Sequence, residues 1–128
     1  MSGFLKSQKG QDLVEYALIV PILLMLVLGT IDIANLVFSY DTISNAAREG
    51  ARYGVIHPSD TAGITAKTLN LTEGLQQSAL NVTVSNPGGN TIQVKVIYDA
   101  PLFTGFLIDA VGGGSTLRLR ASSTMQIE

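Results

Sequence analysis

The residue with the most chemistry to account for is Glu15. With Tyr16 it stands at the mouth of a membrane-length apolar run, five residues beyond Gly10 and behind a short leader that carries Lys6 and Lys9. A carboxylate at the edge of a lipid-facing segment is costly, so one found there calls for a partner or a function. Asp12 and Glu15 are acids three residues apart, on one face of a helix. As a catalytic dyad they have no pocket around them, and their ordinary reading is a favourable interaction with the positive end of a helix.

Other reactive constellations are missing. Cysteine does not occur, and His57 is the one histidine. Disulfides, thiolate chemistry and cysteine-based metal sites are therefore excluded. There is no Ser/His/Asp arrangement, HExxH motif, P-loop or strand-to-helix GxGxxG. His57, in a loop flanked by Gly54 and Pro58, reads as a solvated residue. The chain reads as a non-enzyme with no cofactor. Eight basic and ten acidic residues give a formal net charge of −2, without the basic patch that nucleic acid requires. Asn70-Leu71-Thr72 and Asn81-Val82-Thr83 match a glycosylation triplet common by chance.

The element that must position Glu15 is the apolar run itself. Crossing about 30 Å of hydrocarbon takes about 20 apolar helical residues. Tyr16 to Ile31 supplies 16 without a charge, and accepting Asp32 near the interface extends the run through Ile33 to Tyr40. A cleaved secretory signal would suit the basic leader. It lacks a small-x-small cleavage site soon after Ile31, and Glu15 violates the usual start of such a segment. A buried globular helix is disfavoured because the run is apolar all round and the remaining chain is too short to enclose it. The reading is a membrane-inserted helix, with Lys6 and Lys9 placing its N-terminus in the cytoplasm and the remainder outside. Pro21, about one turn in, is either an ordinary membrane proline or a place of local melting during assembly.

Beyond Asp32 the pattern turns amphipathic, with Ile33, Leu36, Val37, Tyr40, Ile43, Ala47 and Ala51 at helical spacing. The spacing predicts one continuous helix from about residue 11 to 54, on the order of 65 Å long. Gly54 would serve as its C-cap, with Arg48 and Arg52 in the last turns. Ala46, Ala47, Gly50 and Ala51 form a cluster that allows close backbone approach. That cluster is read first as packing against the chain's own remainder, with an intersubunit contact as the alternative.

Residues 55–128 read as a separate α+β head. Ser59 or Asp60 opens a second helix with Ile64, Leu69, Leu71 and Leu75 on its apolar face. Asn81–Ser85 and Thr91–Tyr98 alternate around the turn signal Asn86-Pro87-Gly88-Gly89-Asn90, predicting a β-hairpin. Leu117, Leu119, Ala121, Met125 and Ile127 alternate in a last strand. Pro101 to Val111 is apolar without clear periodicity, and reads first as a satellite core, with an exposed patch as the alternative. The fold class is thus α+β: a long N-terminal helix with a small antiparallel sheet packed on its outer half.

The run Gly10-Gln-Asp-Leu-Val-Glu15-Tyr16-Ala-Leu-Ile-Val-Pro21 resembles the Flp/TadE group of type IV pilin-like proteins from tight-adherence (Tad) systems. That family's hallmark is a glycine, four residues, Glu-Tyr or Glu-Phe, and then an apolar segment. Gly29-Thr-Ile-Asp32-Ile-Ala-Asn35 and Asn45-Ala-Ala-Arg48-Glu49-Gly50-Ala51-Arg52-Tyr53 are similar to the TadE-like domain. The likeness covers about Gly10 to Tyr53 and does not extend to the head. A head of this size points to the TadE-like branch, the minor pilins or pseudopilins.

The resemblance implies that residues 1–10 are a prepilin leader, removed by an inner-membrane aspartic prepilin peptidase that cuts between Gly10 and Gln11. The freed α-amino group of Gln11 on an adjacent subunit would then pair with Glu15, because a buried carboxylate needs a partner. Loss of Lys6 and Lys9 would move the formal net charge from −2 to −4. The resemblance further implies lipid before assembly, copies of itself and other pilins in a surface filament after it, and an inner-membrane assembly platform. Adhesion or surface attachment is the implied role. The competing reading is a single-pass membrane protein that displays its head as a binding module.

Overall fold

A computed structural model describes residues 2–127, with side chains from Gln8 to Ile127; the Lys6 side chain lies outside the described residues. Helix α1 runs from Ser2 to Ile56, 55 residues or about 80 Å, through the Gly10–Gln11 junction without a break and with Pro21 inside it. It passes Gly54 and ends where Pro58 restricts the residue before it. Gly54 is therefore not a cap. It is buried, and a Cβ there would lie 2.8 Å from Cδ1 of Ile92, so glycine serves close approach to the sheet.

Helix α2 (Thr61–Asn70) starts at Asp60, whose carboxylate accepts the Gly63 N–H at 3.0 Å. Strands β1 (Leu80–Ser85), β2 (Thr91–Pro101) and β3 (Thr116–Gln126) form an antiparallel sheet in the order β1-β2-β3. Val82 faces Val96 across the first pair, and Ala121 faces Val96 across the second. The β1–β2 turn depends on Gly89, whose φ of 71° is one that L side chains rarely adopt. The short helix α3 (Gly105–Ala110) lies between β2 and β3.

The core sits between the outer half of α1, α2 and one face of β2. Ile43, Ala47 and Ala51 of α1 meet Ile64 of α2, Ile92, Val94 and Val96 of β2, and Ala121 of β3. Alternation places every second β2 residue against the helix. Each fully buried Ile or Val there contributes about 1.5–3 kcal/mol. The α2 face differs from the periodic reading. Thr68 and Thr72 are buried, while Leu71 is exposed. Both threonines donate to backbone carbonyls, of Ile64 and Leu69 respectively, at 2.8 Å, which lets hydroxyls occupy core positions.

Candidate assembly helix and its contacts with the head

From Gln8 to Val27 every side chain of α1 is exposed, and among the described residues only the loop after β2 comes alongside this stretch, at Met25. Gly10, Gln11, Glu15 and Tyr16 therefore lie on a bare helix. Asp12, Glu15, Tyr16 and Ile19 line one shallow groove on it. A Cβ at Gly10 would meet nothing within 4 Å. The open surface suits access by an enzyme. The helical backbone does not suit cleavage, which needs local unwinding, and glycine lowers that cost by about 1 kcal/mol relative to alanine. The ion pairs among the described residues lie elsewhere, Arg52–Glu49 and Arg118–Asp99.

Ala46, Ala47, Gly50 and Ala51 are buried against the chain's own head. Gly50 is the closest point, since a Cβ there would collide with Oγ1 of Thr68. The buried stripe of α1 follows the apolar spacing at Leu36, Ile43, Ala47 and Ala51 and departs from it between Asp32 and Tyr40. Ile33, Val37 and Tyr40 are exposed, Ile33 at 65% and Val37 at 57%, while Asp32 and Ser39 are buried. The head covers Asp32, Leu36 and Ser39 and leaves Ile33, Val37 and Tyr40, at spacings of four and three, facing outward.

Asp32 explains that choice. It is 5% exposed and accepts three hydrogen bonds from the loop after β2. Its Oδ1 takes the Phe103 N–H at 2.6 Å, and its Oδ2 takes the Thr104 N–H at 3.0 Å and the Thr104 hydroxyl at 2.6 Å. The carboxylate thus clasps the head to α1 at the end of the apolar span, 71 and 72 residues away in sequence. Sequence reasoning treated Asp32 only as an interfacial charge. The available signal was its position, since an acid inside an apolar run needs donors. Nothing local identified Thr104 as one of them.

A second clasp closes the far end. The Tyr53 hydroxyl donates to Oδ2 of Asp60 at 3.0 Å, and the Tyr53 ring stacks on His57 with centroids 4.6 Å apart. The hydrogen bond to Asp60 holds the Tyr53 phenol above its ordinary pKa. His57 is exposed, but it packs on the helix end rather than standing free.

The stretch from Pro101 to Val111 is not a satellite core. Phe103, Phe106, Ile108 and Val111 are exposed. Only Gly105 is buried in α3, because Ser115 closes over it. The loop rests on α1, with Leu102 and Leu107 half-buried, and nothing among the described residues covers its outer side, where the other large apolar side chains point.

A model of the family described as TadE-like protein matches residues 10–52. No curated protein and no solved structure matches the chain.

Proposed function

We propose that this chain, TadE-like over residues 10–52, is a pilin-like subunit of a Tad-type surface filament that assembles through α1. The observation that carries the reading is the second apolar face of α1. The outer half of the helix buries one face in the head, and still exposes Ile33, Val37 and Tyr40 in line with the bare span below. A membrane anchor that merely displays a head has no use for this exposed stripe. A bundle of helices from neighbouring copies would cover it, together with the span, once the subunit leaves the lipid.

In this account the subunit waits in the inner membrane with its N-terminus inside. Cleavage after Gly10 by a prepilin peptidase exposes the amino group of Gln11. Glu15 then meets that amino group on the next subunit, and the pairing sets the axial step. A head occupying more than half of the chain favours a minor or pseudopilin role over that of the bulk subunit.

The test is Glu15→Ala. The variant should insert into the membrane at wild-type levels and leave sheared surface filaments depleted to traces. Filaments of normal abundance containing the variant would sink the pairing.

A further inference from the structure

The loop from Pro101 to Ser115 does not stop at the level of Asp32. It descends along the apolar span. Leu28 and Gly29 are half-buried, in contrast to the exposed residues before them. Met25 shares one cleft with Leu107, Ile108, Val111 and Gly112. Met25 is seven residues below Asp32, or about 10 Å down the helix axis. If the span lies in lipid, so does whatever lies beside Met25.

We propose that α3 and its flanking turns are a second membrane contact, a short hairpin immersed in the outer leaflet beside α1, with acyl chains as its occupant. The proposal rests on the span being membrane-inserted. Three observations carry it. The first is continuity: the loop's apolar side chains extend the apolar surface of the span, with Phe106 63% and Val111 88% exposed.

The second is charge. Between Asp99 and Arg118 the only ionisable side chain is Asp109, which limits how deep the hairpin can sit.

The third is backbone satisfaction, which hydrocarbon demands of any non-regular segment. Most of the loop's donors are taken: Leu102 by the Ser115 carbonyl, Phe103 and Thr104 by Asp32, Gly105 by the Leu102 carbonyl, Val111 and Gly113 by that of Ile108, and Gly112 by that of Asp109. The Phe106, Gly114 and Ser115 amides find no acceptor among the described residues, which holds the hairpin to the headgroup side of the leaflet. Thr30, in the neighbouring turn of α1, donates its hydroxyl to the Leu26 carbonyl at 2.8 Å. The clasp on Asp32 then has a second meaning. It supplies acceptors to two of the loop's amides, and it surrounds with donors a carboxylate that would otherwise be costly at that depth.

The absence of native cysteine allows a clean test. Single substitutions Phe106→Cys, Val111→Cys, Leu23→Cys and Asn86→Cys are labelled with an environment-sensitive fluorophore. Each full-length chain is reconstituted at low density in vesicles of phosphatidylethanolamine and phosphatidylglycerol. Labels at Phe106 and Val111 should be quenched by doxyl lipid comparably to Leu23, and by aqueous iodide several-fold less than Asn86. Iodide quenching equal to that at Asn86 overturns the proposal. Protection from both quenchers, with energy transfer between copies, also overturns it by showing a second copy on the patch. A Leu23 label that lipid does not quench removes the membrane-inserted span, and the hairpin with it.

Discussion

Two carboxylates on α1 have opposite circumstances. Asp32 has all its partners within the chain, whereas Glu15 lies exposed on a bare helix. Glu15 was legible in sequence because its oddity is local: one acid, one glycine five residues earlier, one apolar run. Asp32 was equally visible, but its donors are set by a chain reversal that no short window contains. Removing it has a defined consequence. In Asp32→Ala the Phe103 and Thr104 amides lose their acceptor, and their hydrogen exchange should accelerate by about tenfold or more while Val94 and Val96 in β2 keep their protection. Unchanged exchange at Phe103 and Thr104 would mean that the loop is held by other contacts.

At the scale of elements, the helix and the strands were readable and the faces only in part. Period-two alternation identified β1, β2 and β3, because a sheet with one covered face imposes it. On α1 helical spacing placed Leu36, Ile43, Ala47 and Ala51 correctly and missed at Ile33, Val37 and Tyr40, since the donors around Asp32 set which side of the helix the head covers there. Gly54 was misread for a related reason. Its lack of a Cβ serves packing against Ile92 and not a turn.

Gly50 tests that packing. Gly50→Val puts a branched side chain against Thr68 and should cost about 1–3 kcal/mol in thermal unfolding. A variant with wild-type stability would show that α1 and α2 separate freely.

The clasp at Tyr53 has a pH signature. Its phenol titrates above the ordinary value in the folded state. Its contribution is therefore complete below the unfolded pKa of about 10 and is lost as pH rises through the folded one. The stability difference between wild type and Tyr53→Phe should stay constant from neutral pH to about 9 and shrink above about 10. A difference that grows with pH contradicts the assignment.

The molecule as a whole is an amphiphile whose stem is one continuous helix with Pro21 inside it. One helix, about 80 Å long, carries a bare apolar half, a middle that the head touches at Asp32, Leu36 and Ser39, and an outer end that buries one face. The head is small because the helix supplies one wall of its core. Composition made this division legible, since charge is absent from the span and Thr, Ser, Asn and Gly are rich beyond it. The hairpin at Pro101 to Ser115 was not legible, because an apolar loop without periodicity reads alike whether it faces a core, a copy or lipid.

A stem that leaves the membrane to become part of a filament must first have lost its leader. Intact-mass spectrometry of the chain recovered from sheared surface filaments tests it most directly. The subunit should begin at Gln11, lighter by the ten leader residues. A chain found only in the membrane fraction, still beginning at Met1, would contradict it.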